Sequence, residues 1–277
     1  HCLAPAAKAN WRCDANKRCL AMDLPHRLTL ARSIALEASD VALAHFRKPL
    51  DIIAKSDESP VTIADQATER AIREALSQHF PGETVFGEEY GQSGDAPDLW
   101  IVDPIDGTRS FITGLPLFGV LLGYAEAGAP ALGIINMPAL EELYSGARGL
   151  GATLNGKPIQ VSDCDTLSNA RLFLNEADKI AMHEPAVFSR LINTGAVRRM
   201  SADCYPHALV ASGHADAVVD YDLKPYDFLP VSAVVEAAGG LMTDWQGQPL
   251  TMQSDGRTLT AATSELLASL VERVNHP

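Results

Sequence analysis

The stretch WIVDPIDGTRSF, residues 100–111, places two aspartates three positions apart at the point where an apolar run stops. Residues 100–102 predict a buried strand, since three large apolar side chains follow one another there. We expect this strand to end at Asp103, because Pro104 has no N–H to donate to a neighbouring strand. The chain then turns and presents Asp106 on the same side.

Two carboxylates this close together repel each other unless a cation lies between them, and hard ions such as Mg²⁺ prefer oxygen ligands. Asp103 and Asp106 are therefore candidate metal ligands. Gly107 permits close backbone approach, and Thr108 is predicted to begin a short helix that ends near Gly114 and whose first N–H groups favour an anion. On these residues alone a plain turn stays open, since Asp-Pro and Asp-Gly are ordinary turn dipeptides.

The composition excludes several classes of protein. The chain has 277 residues, 47% of them hydrophobic, and a net charge of −13, which disfavours nucleic acid and anionic membranes as partners. No apolar run approaches the ~18 residues of a membrane-spanning helix. The five cysteines are odd in number and form no CxxC pair, so neither a zinc site nor a disulfide framework is predicted and a reducing, cytoplasmic location is expected.

The chain divides into an extension and a domain. Residues 1–21 hold three of the five cysteines and show no clear helical period, so we expect a disordered extension or a translation-start artefact. Residues 22–277 are predicted to form one domain, with a soft subdivision near Asp163, where a run dominated by strands ends.

Hydrophobic periodicity along the domain predicts helices and strands in mixed order. The predicted helices are 27–46, 63–80, 186–192, 204–213, 228–238 and 264–274. The predicted strands are 84–86, 99–102, 118–124, 131–136, 142–145, 172–174, 197–200 and 217–219, with a hairpin at 151–162 and a strand pair after 240. This order indicates layered α/β or α+β packing.

Three motifs, in this order, resemble those of the inositol monophosphatase family, Mg²⁺-dependent phosphomonoesterases. They are GEEYG at 87–91, DPIDGT at 103–108 and PYDFLPVSAVVEAAGG at 225–240. The resemblance covers essentially all of residues 22–277 and implies a layered αβαβα sandwich that assembles as a homodimer. One departure is Tyr226, since the family usually has Trp before this aspartate.

The resemblance also implies the site residues. The metal ligands would be Glu88, Asp103, Ile105 through its backbone carbonyl, Asp106 and Asp227. They would hold two or three Mg²⁺ ions, with Mn²⁺ as a substitute. Thr108 and Asp65, with Glu88, would orient the attacking water, and the amides of Gly107 and Thr108 would meet the phosphate.

Two further stretches bear on the substrate, which we expect to be a small phosphorylated metabolite. SADCYPHALVASGHADAVVD at 201–220 and DYDLKPYD at 220–227 resemble the histidinol-phosphatase branch, whose reaction releases L-histidinol and phosphate in histidine biosynthesis. Asp203, Asp220 and Asp222 would bind the cationic amine, with Asp227 facing the leaving group.

Several alternatives stay open at this point. The same aspartates could be helix caps or solvated surface residues. The substrate could be inositol phosphate, another sugar-alcohol phosphate or a nucleotide bisphosphate. A non-catalytic scaffold would have lost at least one ligand, Thr108 or Asp65, and all of them are present.

Overall fold

The computed structural model describes residues 23–49, 52–54 and 60–276. The predicted extension at 1–21 lies outside the described residues. No helix within the described part is long and apolar enough to cross a membrane.

The helices of the described residues are, in chain order, α1 (Leu24–His45), α2 (Ile63–His79), α3 (Thr108–Thr113), α4 (Ala177–His183), α5 (Pro185–Leu191), α6 (Tyr205–Ala211), α7 (Pro225–Ala237) and α8 (Ser264–Asn275). The strands are β1 (Ile52–Ala54), β2 (Pro60–Thr62), β3 (Thr84–Gly87), β4 (Gly91–Ser93), β5 (Leu99–Asp106), β6 (Gly119–Glu126), β7 (Ala129–Met137), β8 (Glu142–Ala147), β9 (Gly151–Leu154), β10 (Lys157–Ile159), β11 (Arg171–Leu174), β12 (Val197–Met200), β13 (Ala217–Asp220), β14 (Leu241–Asp244) and β15 (Thr258–Ala261).

The first two layers are the α1–α2 pair and an eight-stranded sheet of order β10-β9-β8-β7-β6-β5-β3-β4. The sheet is antiparallel except where β3 runs parallel to β5. Each helix starts at a side-chain cap: Asp23 accepts the N–H of His26, and Thr62 accepts that of Ala64. The apolar face of the helix pair packs with Trp100 in a continuous core.

The other three layers complete an αβαβα sandwich. Helices α6 and α7 lie between the eight-stranded sheet and a five-stranded sheet of order β12-β11-β13-β15-β14. In this second sheet β11 is parallel to β12 and β13. Helices α4, α5 and α8 are on the outer side, where α8 packs on β15 and α5. The predicted sandwich is confirmed.

Most predicted elements coincide with observed ones to within a few residues, and the expected short helix at Thr108 is present as α3. Three features were missed: the β1–β2 pair, strand β4 and helix α4. Strands of three residues carry too little period to stand out, and α4 reads as a polar loop after β11. The chain passes from the eight-stranded sheet to the five-stranded sheet between β10 and β11, around Asp163. A division into two domains at this point stays a prediction.

The predicted end of β5 was wrong. The strand continues past Pro104 to Asp106, which pairs with Gly119 on β6. The register of the β5–β6 pair shifts between Asp103 and Asp106, which marks a bulge. Pro104 lies in this bulge, where its missing N–H does not interrupt the hydrogen bonds between the two strands. The bulge brings the carboxylates of Asp103 and Asp106 close together.

Helix α7 lies very close to the eight-stranded sheet because the sheet presents glycine to it. A Cβ added to Gly133 would lie 1.9 Å from the carbonyl oxygen of Pro230, and one added to Gly123 would lie 3.0 Å from Pro230 Cγ. Side chains at these positions would push α7, which carries Asp227, away from β5.

We predict that Gly133→Ala lowers the free energy of unfolding by about 3 kcal/mol or more, because the clash is with backbone and neither partner can turn away. Gly128→Ala is the control. Its Cβ would meet nothing within 4 Å, so only the left-handed backbone at φ +78° adds a cost, roughly 1 kcal/mol. Denaturant unfolding of both variants measures the difference, and equal losses would contradict the close packing.

Candidate active site at the acidic cluster

The bulge of β5 positions the first two carboxylates. Asp103 is 2% exposed, and its Oδ1 accepts the N–H of Ile105 at 3.0 Å, which closes the turn around Pro104. Oδ2 of Asp106 accepts the N–H of Cys204 at 2.6 Å. That bond ties the end of β5 to the start of α6.

The third carboxylate comes from the first turn of α7. Asp227 Oδ2 accepts the N–H of Lys224 at 2.6 Å, which caps the helix and places a negative charge at its positive end. Carboxylate oxygens of Asp103, Asp106 and Asp227 all lie within 4.8 Å of one another. We call these three residues the acidic trio.

Electrostatics show that the trio is an unfavourable arrangement without a cation. Burial raises the pKa of Asp103 well above its usual range, and the charges of Glu88 and Asp227 add to the effect. Burial and the charges of Asp203 and Asp227 likewise raise the pKa of Asp106. Burial raises the pKa of Asp227 to about 7, although its hydrogen bond from Lys224 opposes the shift.

A divalent cation fits this donor set. Three converging carboxylates supply hard oxygen ligands and the negative charge that a cation would neutralise. The carbonyl of Ile105, also predicted to be a ligand, is at the same turn, and its oxygen lies 3.2 Å from the hydroxyl oxygen of Thr108.

Glu88 lines the same cleft from the loop that follows β3. Its charge contributes to the raised pKa of Asp103 and of Asp227, so it lies beside the trio. The loop is held by Glu69, fully buried, whose carboxylate accepts the N–H groups of Glu89 at 2.6 Å and Tyr90 at 3.3 Å. Sequence reasoning missed Glu69, although it lies on the buried face of α2.

Thr108 lies next to Asp65, as predicted from the resemblance. Its hydroxyl is 3.4 Å from Oδ1 of Asp65, which is 1% exposed, while Oδ2 of Asp65 accepts the backbone N–H and the hydroxyl of Thr62. A hydroxyl that donates to Asp65 turns its lone pairs towards the cleft, where it can accept a hydrogen bond from water. Gly107 precedes it with φ +81°, a left-handed conformation that glycine adopts without strain.

The three aspartates predicted to bind an amine occupy different environments. Asp203 lines the cleft, and its Oδ2 accepts the hydroxyl of Ser110 at 2.5 Å. Burial raises the pKa of Asp203 to about 6, against the effect of that hydrogen bond. Asp222 is exposed and paired with Lys179 and Lys224 at 3.1 and 2.9 Å.

Asp220 lies behind the cleft and is 1% exposed. Its Oδ2 is bonded to Asn175 at 2.8 Å and His207 at 3.0 Å, and its Oδ1 accepts the N–H of Tyr221. The structure therefore brings the other predicted ligand and substrate residues to one cleft, with Asp65 and Asp220 as buried neighbours.

The charged residues at the mouth of the cleft, which we call the rim, were not predicted from the sequence. Glu176 pairs with Lys179 at 2.7 Å and with Arg109 at 3.6 Å, across the mouth of the cleft. Glu176 is the second residue after the end of β11, and ligands of α/β sheets bind outside the carboxyl ends of parallel strands. Its position near the carboxyl end of β11 could therefore have indicated Glu176 as a residue of the cleft.

The chain is similar to known proteins along most of its length. The model of the inositol monophosphatase family matches residues 23–276. The histidinol-phosphatase of Chlorobaculum parvum is 40% identical over 255 residues, 90% of this chain and 96% of that protein. The bifunctional phosphatase IMPL2, chloroplastic, of Arabidopsis thaliana is 40% identical over 229 residues, 82% of this chain and 66% of that protein. A solved inositol monophosphatase from Zymomonas mobilis superposes with a TM-score of 0.83 at 36% identity, covering 92% of this chain and 100% of that one.

The raised pKa values of the trio predict how stability depends on pH. A carboxyl group whose pKa is higher in the folded than in the unfolded state destabilises the fold once it ionises. Without metal, the free energy of unfolding contributed by the trio therefore falls as pH rises from about 4 through the folded pKa values, about 7 for Asp227.

We predict that Asp103→Asn, measured without metal at pH 8, raises the free energy of unfolding by roughly 1 kcal/mol or more, a rise in Tm of about 2–4 °C. The amide removes one charge and can still accept the Ile105 N–H. The same variant should lose most of the Tm increase that Mg²⁺ gives the unsubstituted protein, whereas the exposed Asp95→Asn should change neither value. Thermal denaturation with and without Mg²⁺ measures both, and a destabilised Asp103→Asn that keeps the full Mg²⁺ response would contradict the site.

Proposed function

Because the chain belongs to the inositol monophosphatase family, and so is a phosphatase of that family, we propose that it is a Mg²⁺-dependent phosphomonoesterase that hydrolyses L-histidinol phosphate to L-histidinol and phosphate. The similarity to a histidinol-phosphatase along nearly the whole chain supports this substrate. With it we propose a place in histidine biosynthesis and a homodimer, as the resemblance implies, and a cytoplasmic location, as the cysteine pattern indicates.

The observation that carries the proposal is the carboxylate of Asp203 beside the acidic trio. A Cβ on Gly107 would lie 2.7 Å from Asp203 Cγ, so this carboxylate lies directly against the turn predicted to receive the phosphate. Histidinol phosphate has an ammonium group a few bonds from its phosphate. A half-buried carboxylate at that distance from the turn offers it a charge-assisted hydrogen bond.

The roles of the chain's own residues follow from their positions. The trio, Glu88 and the Ile105 carbonyl would hold the metal ions. Bound Mg²⁺, two or three ions with Mn²⁺ as a substitute, would neutralise the phosphate and lower the pKa of a bound water. Thr108, its hydroxyl donating to Asp65, would accept a hydrogen bond from the attacking water and orient it.

The phosphate would meet the amides of Gly107 and Thr108 at the turn that begins α3. Asp227, at the start of α7, would face the leaving oxygen from the opposite wall. Both placements would put the scissile bond between β5 and α7, and α7 packs on the sheet that contains β5.

An inositol phosphatase is the second candidate. The 36% identity with the inositol monophosphatase of Zymomonas mobilis favours it, as does the pairing of Asp222 with two lysines, which reduces the negative charge of the rim. The two candidates share the reaction and differ in whether a cationic group of the substrate is bound.

We predict that Thr108→Ala lowers kcat about 100-fold or more, because the attacking water loses the group that orients it. Thr108→Ser keeps the hydroxyl and should retain most of the activity. The Mg²⁺ concentration that gives half-maximal activity should change little in either variant. Steady-state kinetics with a Mg²⁺ titration test this, and an alanine variant with the unsubstituted rate would refute the role of the hydroxyl.

We predict that Asp203→Asn lowers kcat/KM for histidinol phosphate about ten- to a hundredfold, the loss of one charge-assisted hydrogen bond of about 1.5–3 kcal/mol. The rate with inositol 1-phosphate should change much less. Asp222→Asn is the matched control, since its carboxylate is exposed and already paired with Lys179 and Lys224.

Phosphate release from histidinol phosphate, inositol 1-phosphate and adenosine 3′,5′-bisphosphate, with and without Mg²⁺, tests the proposal as a whole. A preference for inositol 1-phosphate in the unsubstituted enzyme would favour the second candidate. Equal losses on both substrates in Asp203→Asn would assign that residue a structural role, and full turnover after chelation would contradict metal dependence.

A further inference from the structure

Asn175 is a buried polar residue directly after β11, behind the wall of the cleft. It is 2% exposed. Its side-chain oxygen accepts the N–H of Ala202, and its amide nitrogen donates to the carbonyl oxygen of Asp203 and to Oδ2 of Asp220, each at 2.8 Å. Two acceptors face the nitrogen and one donor faces the oxygen, so the contacts fix the orientation of the amide.

On one side, the hydrogen bonds of Asn175 reach the loop that carries Asp203. Ser201 and Asp203 have φ values of 51° and 52°, a left-handed conformation that costs free energy for residues other than glycine. Such a conformation persists only where the surroundings hold it, and Asn175 bonds the backbone of this loop at two consecutive residues. The loop in turn sets how the Asp203 carboxylate meets Ser110 and Gly107.

On the other side, Asn175 bonds Asp220, the first member of a buried row of polar side chains. His207, 2% exposed, has its Nε2 at 3.0 Å from Oδ2 of Asp220 and its Nδ1 at 2.8 Å from the hydroxyl of Thr260. With Oδ1 of Asp220 bonded to the Tyr221 N–H, every hydrogen-bonding group in this row has a partner. The row therefore joins α6, β13 and β15 to the amide of Asn175, which cannot turn without breaking a buried bond.

We propose that Asn175 is a positioning residue for substrate selectivity, holding Asp203 where the ammonium group of an amine-bearing phosphate ester is bound. The inference rests on the proposed function. Asn175 acts through Asp203 and does not touch the substrate. An ammonium–carboxylate hydrogen bond depends steeply on distance and angle, so a loop released from Asn175 loses it. The acidic trio is on β5 and α7, and the side-chain hydrogen bonds of Asn175 go to none of its three carboxylates.

The test compares Asn175→Ala with the unsubstituted full chain on histidinol phosphate and inositol 1-phosphate. We expect kcat/KM for histidinol phosphate to fall about tenfold or more, mainly through a higher KM, and that for inositol 1-phosphate to stay within about threefold. Asn169→Ala, at an exposed asparagine just before β11, should change neither. Asn175→Ser, which keeps one hydroxyl to bond, covers a failure of the alanine variant to fold.

A Mg²⁺ titration and thermal denaturation accompany the kinetics, because the N–H of Cys204, next to Asp203, donates to the ligand Asp106. An unchanged Mg²⁺ dependence with a changed substrate ratio supports the inference. Equal losses on both substrates, or an unchanged ratio in a folded variant, would overturn it while leaving the proposed function intact. An unsubstituted enzyme that prefers inositol 1-phosphate would overturn the proposed function and this inference with it.

Discussion

The repulsion among the carboxylates of Asp103, Asp106 and Asp227 is the constraint on which the arrangement of the site depends. Their oxygens are held within 4.8 Å of one another and burial raises the pKa of each. Without a cation, such a cluster opposes folding, so the surrounding fold must impose it. Backbone N–H groups of Ile105, Cys204 and Lys224 each bond one of the three. The fold therefore holds an unfavourable electrostatic repulsion at this place, which a bound cation would offset.

The layers of the sandwich explain how that repulsion is sustained. The trio joins β5 of the large sheet to α7 of the middle layer, and small residues on the large sheet let α7 approach it. The loop that follows the small sheet's strand β12 contributes Asp203, whose carboxylate lies against the Gly107 turn of the same cleft. In the proposed function the reaction chemistry would come from β5 and α7, while groups that could select a substrate would come from the segment between β11 and β13. This separation would let one reaction serve different phosphate esters.

The sequence was informative where residues are close together in it or belong to a motif. DPIDGT and PYDF located the trio, and hydrophobic periodicity found the long helices and most of the central strands. The expected end of β5 at Asp103 failed because a bulge accommodates Pro104, and only the pairing of Asp106 with Gly119 reveals that bulge. The contacts of Asn175 and His207 and the pairing of Glu176 with Arg109 were missed because their partners are distant in sequence. A lone buried asparagine or histidine gives no local signal until the fold brings its partners to it.

Anomalous X-ray diffraction from crystals of the protein grown with Mn²⁺ shows whether the acidic trio binds a metal ion. Manganese scatters anomalously and takes the oxygen ligands that suit magnesium. We expect an anomalous peak between the three carboxylates, at about 2.0–2.3 Å from an oxygen of each. The same peak should disappear in Asp103→Asn. A map with no peak between these residues, or with its strongest peak elsewhere on the protein, would rule out the trio as the metal site.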